Sequence, residues 1–400
     1  MTPSKADSGW HPRRLLDAPH RLGFAAGGLM LAATALWWAC RLLGLQFGPD
    51  AVPAPVAHAL ALTWGFMPLF MAGFLFTAGP RWLQRPAVSA RELLPAIGAQ
   101  LAGWLVLALA LTGGGRQGPL LAGMGLALVA AGWNHLVLRF WRLLRASTVE
   151  DRLHARVALA ACMLLALLLH ATVAALVAQA WTYSLALARV ALWGGIGVVY
   201  AAVLHRMIPF FGNAAPRLDA RWPSWLLWAM AGVLAAQGLV EGATMLAAAP
   251  WPPLAQALRA AGQGAAGLGV LALAWRWSQM QSLRQRLLAM LHRGFAWLGV
   301  ALLLAAASQP AAALHAYALG FLGSLLLAMA ARVVCGHSGR AVVADGPLWA
   351  LFQALQFAVL ARVGAALWPA LSPWLLPLAA AAWAAVALGW GLRYGRPSLA

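Results

Sequence analysis

The sequence predicts an all-α polytopic membrane protein, about twelve transmembrane helices in one bundle with both termini cytoplasmic. Three observations carry that prediction. Of 400 residues, 63% are hydrophobic and only 9% charged, and the mean hydropathy is +0.77. Apolar runs of membrane length follow one another from end to end. Lysine and arginine fall almost entirely in alternate loops. This composition excludes an ordinary soluble domain, and no polar stretch is long enough to fold one.

A hydrocarbon core of roughly 30 Å takes about 20 helical residues to cross. The runs that meet this length are 22–44, 57–79, 93–112, 119–141, 154–179, 184–207, 224–247, 254–275, 287–308, 312–334, 347–368 and 372–393. The polar, prolyl segment 1–21 lacks the short apolar core of a signal peptide and reads as a cytoplasmic lead-in. Residues 22–393 form the membrane domain, and 394–400 a cytoplasmic tail. No internal repeat stands out, and frequent glycine and alanine permit close helix contacts.

Orientation follows from charge. The side holding the N-terminus carries 23 of the 28 lysines and arginines, and the other side holds five: Arg41, Arg116, Arg189, Arg259 and Arg362. Positive charge marks the cytoplasmic side. The formal charge of +19 is thereby read as a membrane topology signal, with no nucleic acid partner; membrane lipid is the surrounding partner. The 22 tryptophans cluster near span ends as an aromatic belt.

The same topology sorts the histidines by depth. His58 opens span 2 and His315 opens span 10, so both enter from the outer side. Two neutral imidazoles facing each other in an apolar cavity are what six-coordinate haem iron requires. Arg362 and Arg41 lie at the same side, placed to meet haem propionates. The stretch from His315 to Arg340 ends at the opposite face with Arg332, Cys335, His337 and Arg340. His20, His205, His292 and His337 share that cytoplasmic depth and form a candidate copper site, to which Cys335 would add a soft thiolate. Glu241 is one of few carboxylates inside a span, with Gln237 one turn earlier. A buried carboxylate marks a proton path or substrate contact, which makes Glu241 the candidate catalytic group. Cys40 and Cys162 read as small buried hydrophobes.

Several strings resemble the NnrS family of bacterial inner-membrane proteins: APHR (18–21), GFLFTAGPRW (73–82), HRMIPFFGNAAP (205–216), MLHRGFAWLGVALL (290–303) and above all HAYALGFLGSLLLAMAARVVCGHSGR (315–340). They cover most of the chain. The resemblance implies a twelve-span protein containing haem b and copper, associated with denitrification and with tolerance of nitric oxide and nitrosative stress. His20, His58, His205, His292, His315, Arg332, His337 and Arg340 fall in the family's motifs. Where members commonly follow the span-2 histidine with a second histidine and a glutamate, this chain has Ala59, Leu60 and Ala61. A looser likeness joins the chain to the large subunit of haem-copper oxidases, although span 7 lacks their paired histidines.

The expectation is an inner-membrane haem protein, with copper as a second cofactor, that binds or converts nitric oxide or another small diatomic ligand. As an enzyme it would be a nitric oxide-reactive oxidoreductase. The rivals are a cofactor-free multi-pass transporter working through Glu241 and the buried arginines, and a membrane cytochrome that needs a redox partner or quinol.

Overall fold

The computed structural model describes residues 12–45, 50–113, 115–211, 223–280, 282–337 and 343–399, with the side chains of 12, 208–211 and 395–399 excepted. Twelve helices among them are long and apolar enough to cross a membrane, and no residue described is in a strand. They are α1 (Pro19–Leu42), α2 (Ala54–Trp82), α3 (Ala90–Gly113), α4 (Gly115–Arg145), α5 (Leu153–Val177), α6 (Trp181–Met207), α7 (Ser224–Leu246), α8 (Pro253–Met280), α9 (Arg286–Ala306), α10 (Pro310–His337), α11 (Gly346–Leu367) and α12 (Pro369–Tyr394). Each overlaps a predicted span. Proline at the first turn of α1 and α10 fixes φ where no intrahelical donor is missed. The tail expected at 394–400 instead continues the last helix to Leu399.

Three helices form the centre. The apolar cores of α2, α6 and α10 are 83%, 83% and 78% buried, against 61% or less for the other nine. These same three each carry a wide, π-helical segment: Ala61–Gly65, Ala191–Gly197 and Ala316–Gly323. In α2 the cause is Pro68, which has no N–H and crowds the carbonyl four residues back; the helix widens just before it. The other two segments are rich in glycine, with Gly194, Gly195 and Gly197 in α6 and Gly320 and Gly323 in α10.

The widened segments meet. The Tyr317 ring of α10 stacks on Trp193 of α6 at 3.5 Å between centroids, and its hydroxyl donates to the Leu192 carbonyl at 3.0 Å. That hydroxyl occupies the space where a Cβ on Gly197 would sit, so only glycine is accommodated there. Tyr200 of α6 in turn donates to the Met67 sulfur of α2 at 3.4 Å. The recurrence of widened helices at every fourth span is an internal pattern that the sequence does not display.

The remaining helices surround this triad. In α3 and α4, Gly103 and Gly125 face each other's backbone, the close approach that small residues allow in lipid. Asp345 caps α11 by accepting from the Leu348 N–H at 3.1 Å and pairs with Arg393 of α12. Exposed Trp225, Trp228, Trp368 and Trp374 lie near helix ends, as an interfacial belt requires. An even number of crossings puts Pro19 and Tyr394 on one side.

Candidate functional site

At the arginine-poor end of the central triad two predicted ligands lie within electrostatic reach of each other. His58 lies in the first turns of α2 and His315 in the first turns of α10. Each imidazole lies within the electrostatic reach of Arg362 on α11, and His315 also feels His58. His315 donates from Nδ1 to the carbonyl of Ala311, one turn back, at 2.8 Å. That bond sets the tautomer and leaves Nε2 with its lone pair. His58 stacks on Trp38 of α1 with ring centroids 3.9 Å apart, and its Nδ1 is buried with no hydrogen-bond partner among the described residues. Arg41 is held elsewhere: its guanidinium grips Asp50 through two bonds of 3.0 and 2.6 Å. Arg362 is therefore the cation that reaches both imidazoles.

Next to this pair, α6, α7 and α8 build a polar relay. Arg189 donates to Glu241 Oε2 at 2.5 Å, Gln237 Nε2 to Glu241 Oε1 at 3.2 Å, and Gln263 Nε2 to Gln237 Oε1 at 2.9 Å. Glu241 and Gln237 share a helix face because they are one turn apart. Burial of a carboxylate is tolerated when it is paired and hydrogen-bonded, and both oxygens of Glu241 are. The relay borders a cavity of about 300 Å³ that opens between α6, α7, α8, α9 and α10. Arg189 also acts on His315, so the relay adjoins the imidazole pair.

At the opposite, arginine-rich end the expected single group of His20, His205, His292, His337 and Cys335 divides into separate places. His20 of α1 lies against His337 of α10, centroids 4.4 Å apart. His337 donates from Nδ1 to Val333 at 2.9 Å and faces an Arg81 N–H at 3.2 Å through Nε2. His205 of α6 pairs with His154 of α5 instead, nitrogen to nitrogen at 2.9 Å. His292 of α9 bonds the Ala274 carbonyl of α8 at 2.8 Å. Cys335 is two residues from His337, and residues so spaced on a helix do not share a face; the field of Cys335 reaches Tyr394 of α12. Among the described residues, no three His, Cys, Asp or Glu side chains converge in a group able to hold a metal ion. Arg340 of the family motif lies outside the described residues.

The His154–His205 pair has one consistent hydrogen pattern. An Arg206 N–H points at His154 Nδ1 at 3.4 Å, and His205 Nε2 meets the Pro223 carbonyl at 3.3 Å. Two neutral rings, each protonated on Nε2, satisfy all four nitrogens. Arg206 also lies over Trp82, 5.2 Å from its ring centroid and bonds Asp151 at 3.5 Å. Arg81 and Trp82 at the end of α2 thus stand between the two histidine pairs.

Sequence reasoning missed His154, Arg189, Gln263, Trp38 and Arg81. Arg81 and Trp82 close the GFLFTAGPRW string, the one signal that pointed to them. The others lack a local signal, because their roles come from contacts between helices distant in sequence.

A family model described as NnrS protein matches residues 14–399. No curated protein and no solved structure gives a significant match, so the looser likeness to haem-copper oxidases gains no support.

Proposed function

The chain belongs to the NnrS family, a membership that suggests a nitric oxide response membrane protein, and from that premise we propose that it binds haem b between His58 and His315 and meets nitric oxide there. The observation that carries this reading is the pair itself: two imidazoles near the same ends of central helices, both within electrostatic reach of Arg362, with His58 Nδ1 buried and without a partner among the described residues. The donors fit the group, since neutral imidazole nitrogens would hold haem iron and a guanidinium would meet propionates. Bound haem would supply an iron centre, open to a neutral diatomic ligand once one of the two imidazoles gives up its place. The chain's own residues orient and shelter it. Ala311 holds the His315 ring, Trp38 packs the His58 ring, and the burial of α2 and α10 excludes water. The location that follows is a bacterial inner membrane, where a lipid-soluble gas reaches a buried site without a polar channel.

In this reading Glu241, joined to the site through Arg189, holds a proton or contacts substrate, in a role serving nitrosative stress tolerance or denitrification. Copper is the weaker half of the proposal. Its donors are His20 and His337, and one nitrogen of His337 already faces Arg81.

The test is an optical spectrum of the detergent-purified protein, oxidised, dithionite-reduced and then exposed to nitric oxide, with iron and copper counted on the same sample. A sharp Soret band that shifts with nitric oxide is expected. Bands indifferent to nitric oxide would favour an electron carrier. A colourless, metal-free protein that cannot be reconstituted with haem would return the assignment to a transporter.

A further inference from the structure

We propose that the outer cavity between α6 and α10 is a binding site for a small oxyanion that carries its own hydrogen-bond donor. The charge argument comes first. Arg189 and Glu241 neutralise each other at 2.5 Å. Arg259, on the cavity wall, donates to the Ser308 hydroxyl at 3.2 Å and has no carboxylate within ion-pair distance among the described residues. The cavity of about 300 Å³ therefore carries one uncompensated positive charge. Its volume matches the lower end of ligand pockets, roughly 300–1,000 Å³.

The second argument is the direction of the relay. Glu241 accepts only, so Gln237 must turn its amide nitrogen towards it. Gln237 then presents its oxygen, and Gln263 must answer with its own nitrogen. Each amide is fixed by the one before it. The relay ends on Gln263 Oε1, which is buried without a partner among the described residues although Gln263 lines the cavity and is only 8% exposed. Buried acceptors are normally satisfied, and this one requires a donor from a ligand. Arg259 and Gln263 are four residues apart on α8 and share a face. The two demands, an oxyanion for Arg259 and an N–H or O–H for Gln263, therefore fall on one molecule. A free hydroxy or amino acid has this chemistry, and so does the phosphoethanolamine headgroup of a lipid.

The inference does not depend on the haem reading: Arg189 and Glu241 border both places, but the ligand contacts are Arg259 and Gln263 of α8, and binding is measured whatever the iron content. Calorimetry on the detergent-purified chain compares glycolate, acetate, methoxyacetate and O-phosphoethanolamine. Glycolate is expected to bind about tenfold tighter than acetate or methoxyacetate, neither of which has a donor, since one added hydrogen bond is worth about that factor. Gln263→Met should erase the preference without weakening acetate, and Arg259→Gln should weaken every ligand at least tenfold. The ligand series on the unmodified chain decides the matter even where a variant fails to fold. To separate the sources, the chain is placed in nanodiscs of phosphatidylethanolamine or phosphatidylcholine, whose headgroup has no donor. Loss of glycolate binding only in phosphatidylethanolamine assigns the site to lipid, and equal binding in both assigns it to a free acid. Binding of none of the probes, or equal affinity for glycolate and acetate that ignores both substitutions, would overturn the proposal.

Discussion

At the arginine-rich end of the bundle His154 and His205 hold each other at 2.9 Å, with Arg206 on one side and the Pro223 carbonyl on the other. At the arginine-poor end His315 uses one nitrogen on its own helix, and His58 Nδ1 has no partner among the described residues. Both places hold two imidazoles. The first pair is complete within the protein, and the second is not. A polar atom left unsatisfied in the interior costs about 1–3 kcal/mol, so an incomplete pair is where a ligand gains most. The number of open nitrogens, rather than the number of histidines, separates a site from a strut. His20 is the exception at its own end, with Nδ1 buried and unpartnered beside His337.

The largest effect that would break this comparison is in haem content. His58→Ala or His315→Ala is expected to remove haem by at least about tenfold, the lower bound for losses at metal ligands and their supports. His154→Ala and His205→Ala should leave it unchanged. Haem per protein from a pyridine haemochrome assay reads this directly, and retention in both outer variants would sink the axial assignment.

A smaller effect is expected at the relay. Glu241→Leu leaves the half-buried Arg189 guanidinium beside an apolar chain, and orphaning a charge there costs up to about 3 kcal/mol. Glu241→Gln keeps a hydrogen-bond acceptor and should cost less than half of that. Thermal unfolding in detergent measures both. Equal melting points for Glu241→Leu and the parent would mean that the pair carries no structural weight.

The inner pair sharpens the contrast through coupling. Residues in one hydrogen-bond network interact by about 0.5–3 kcal/mol beyond the sum of their single effects. A double-mutant cycle of His154→Ala and His205→Ala should give about 1 kcal/mol of coupling in stability. The same cycle on His58 and His315 in haem-free protein should give close to none, since these rings share no hydrogen bond among the described residues.

Much of this was legible in the sequence, for identifiable reasons. Hydropathy gave the twelve spans because each must satisfy its backbone within lipid. Charge bias and span parity put His58 and His315 at one depth, and the structure adds that α2 and α10 are central helices. The inner group failed because depth is not proximity: His205 and His337 share a level, yet α6 turns one towards α5 and α10 turns the other towards α1 and α2. Cys335 and His337 looked adjacent in the string, but two residues along a helix is slightly more than half a rotation. Gln263 sits in an ordinary amphipathic helix and acquires its role only through Gln237, 26 positions earlier. The widened segments left traces in Pro68 and in the glycines, but nothing in the string showed that they recur at every fourth span.

The smallest expected effect tests what aims the outer pair. Tyr317 is two residues beyond His315, inside the widened segment of α10, and its hydroxyl ties that segment to Leu192 in the widened segment of α6. A widened turn rotates the residues before it relative to those after it, so this tie helps set the direction of His315. Tyr317→Phe keeps the stack on Trp193 and removes one buried hydrogen bond, at a cost of about 1 kcal/mol in stability. With the segment loosened, haem affinity should fall a few-fold while the His154–His205 coupling stays the same. An unchanged haem affinity together with the expected loss of stability would show that Ala311 alone aims the imidazole, and that the widened segment serves packing.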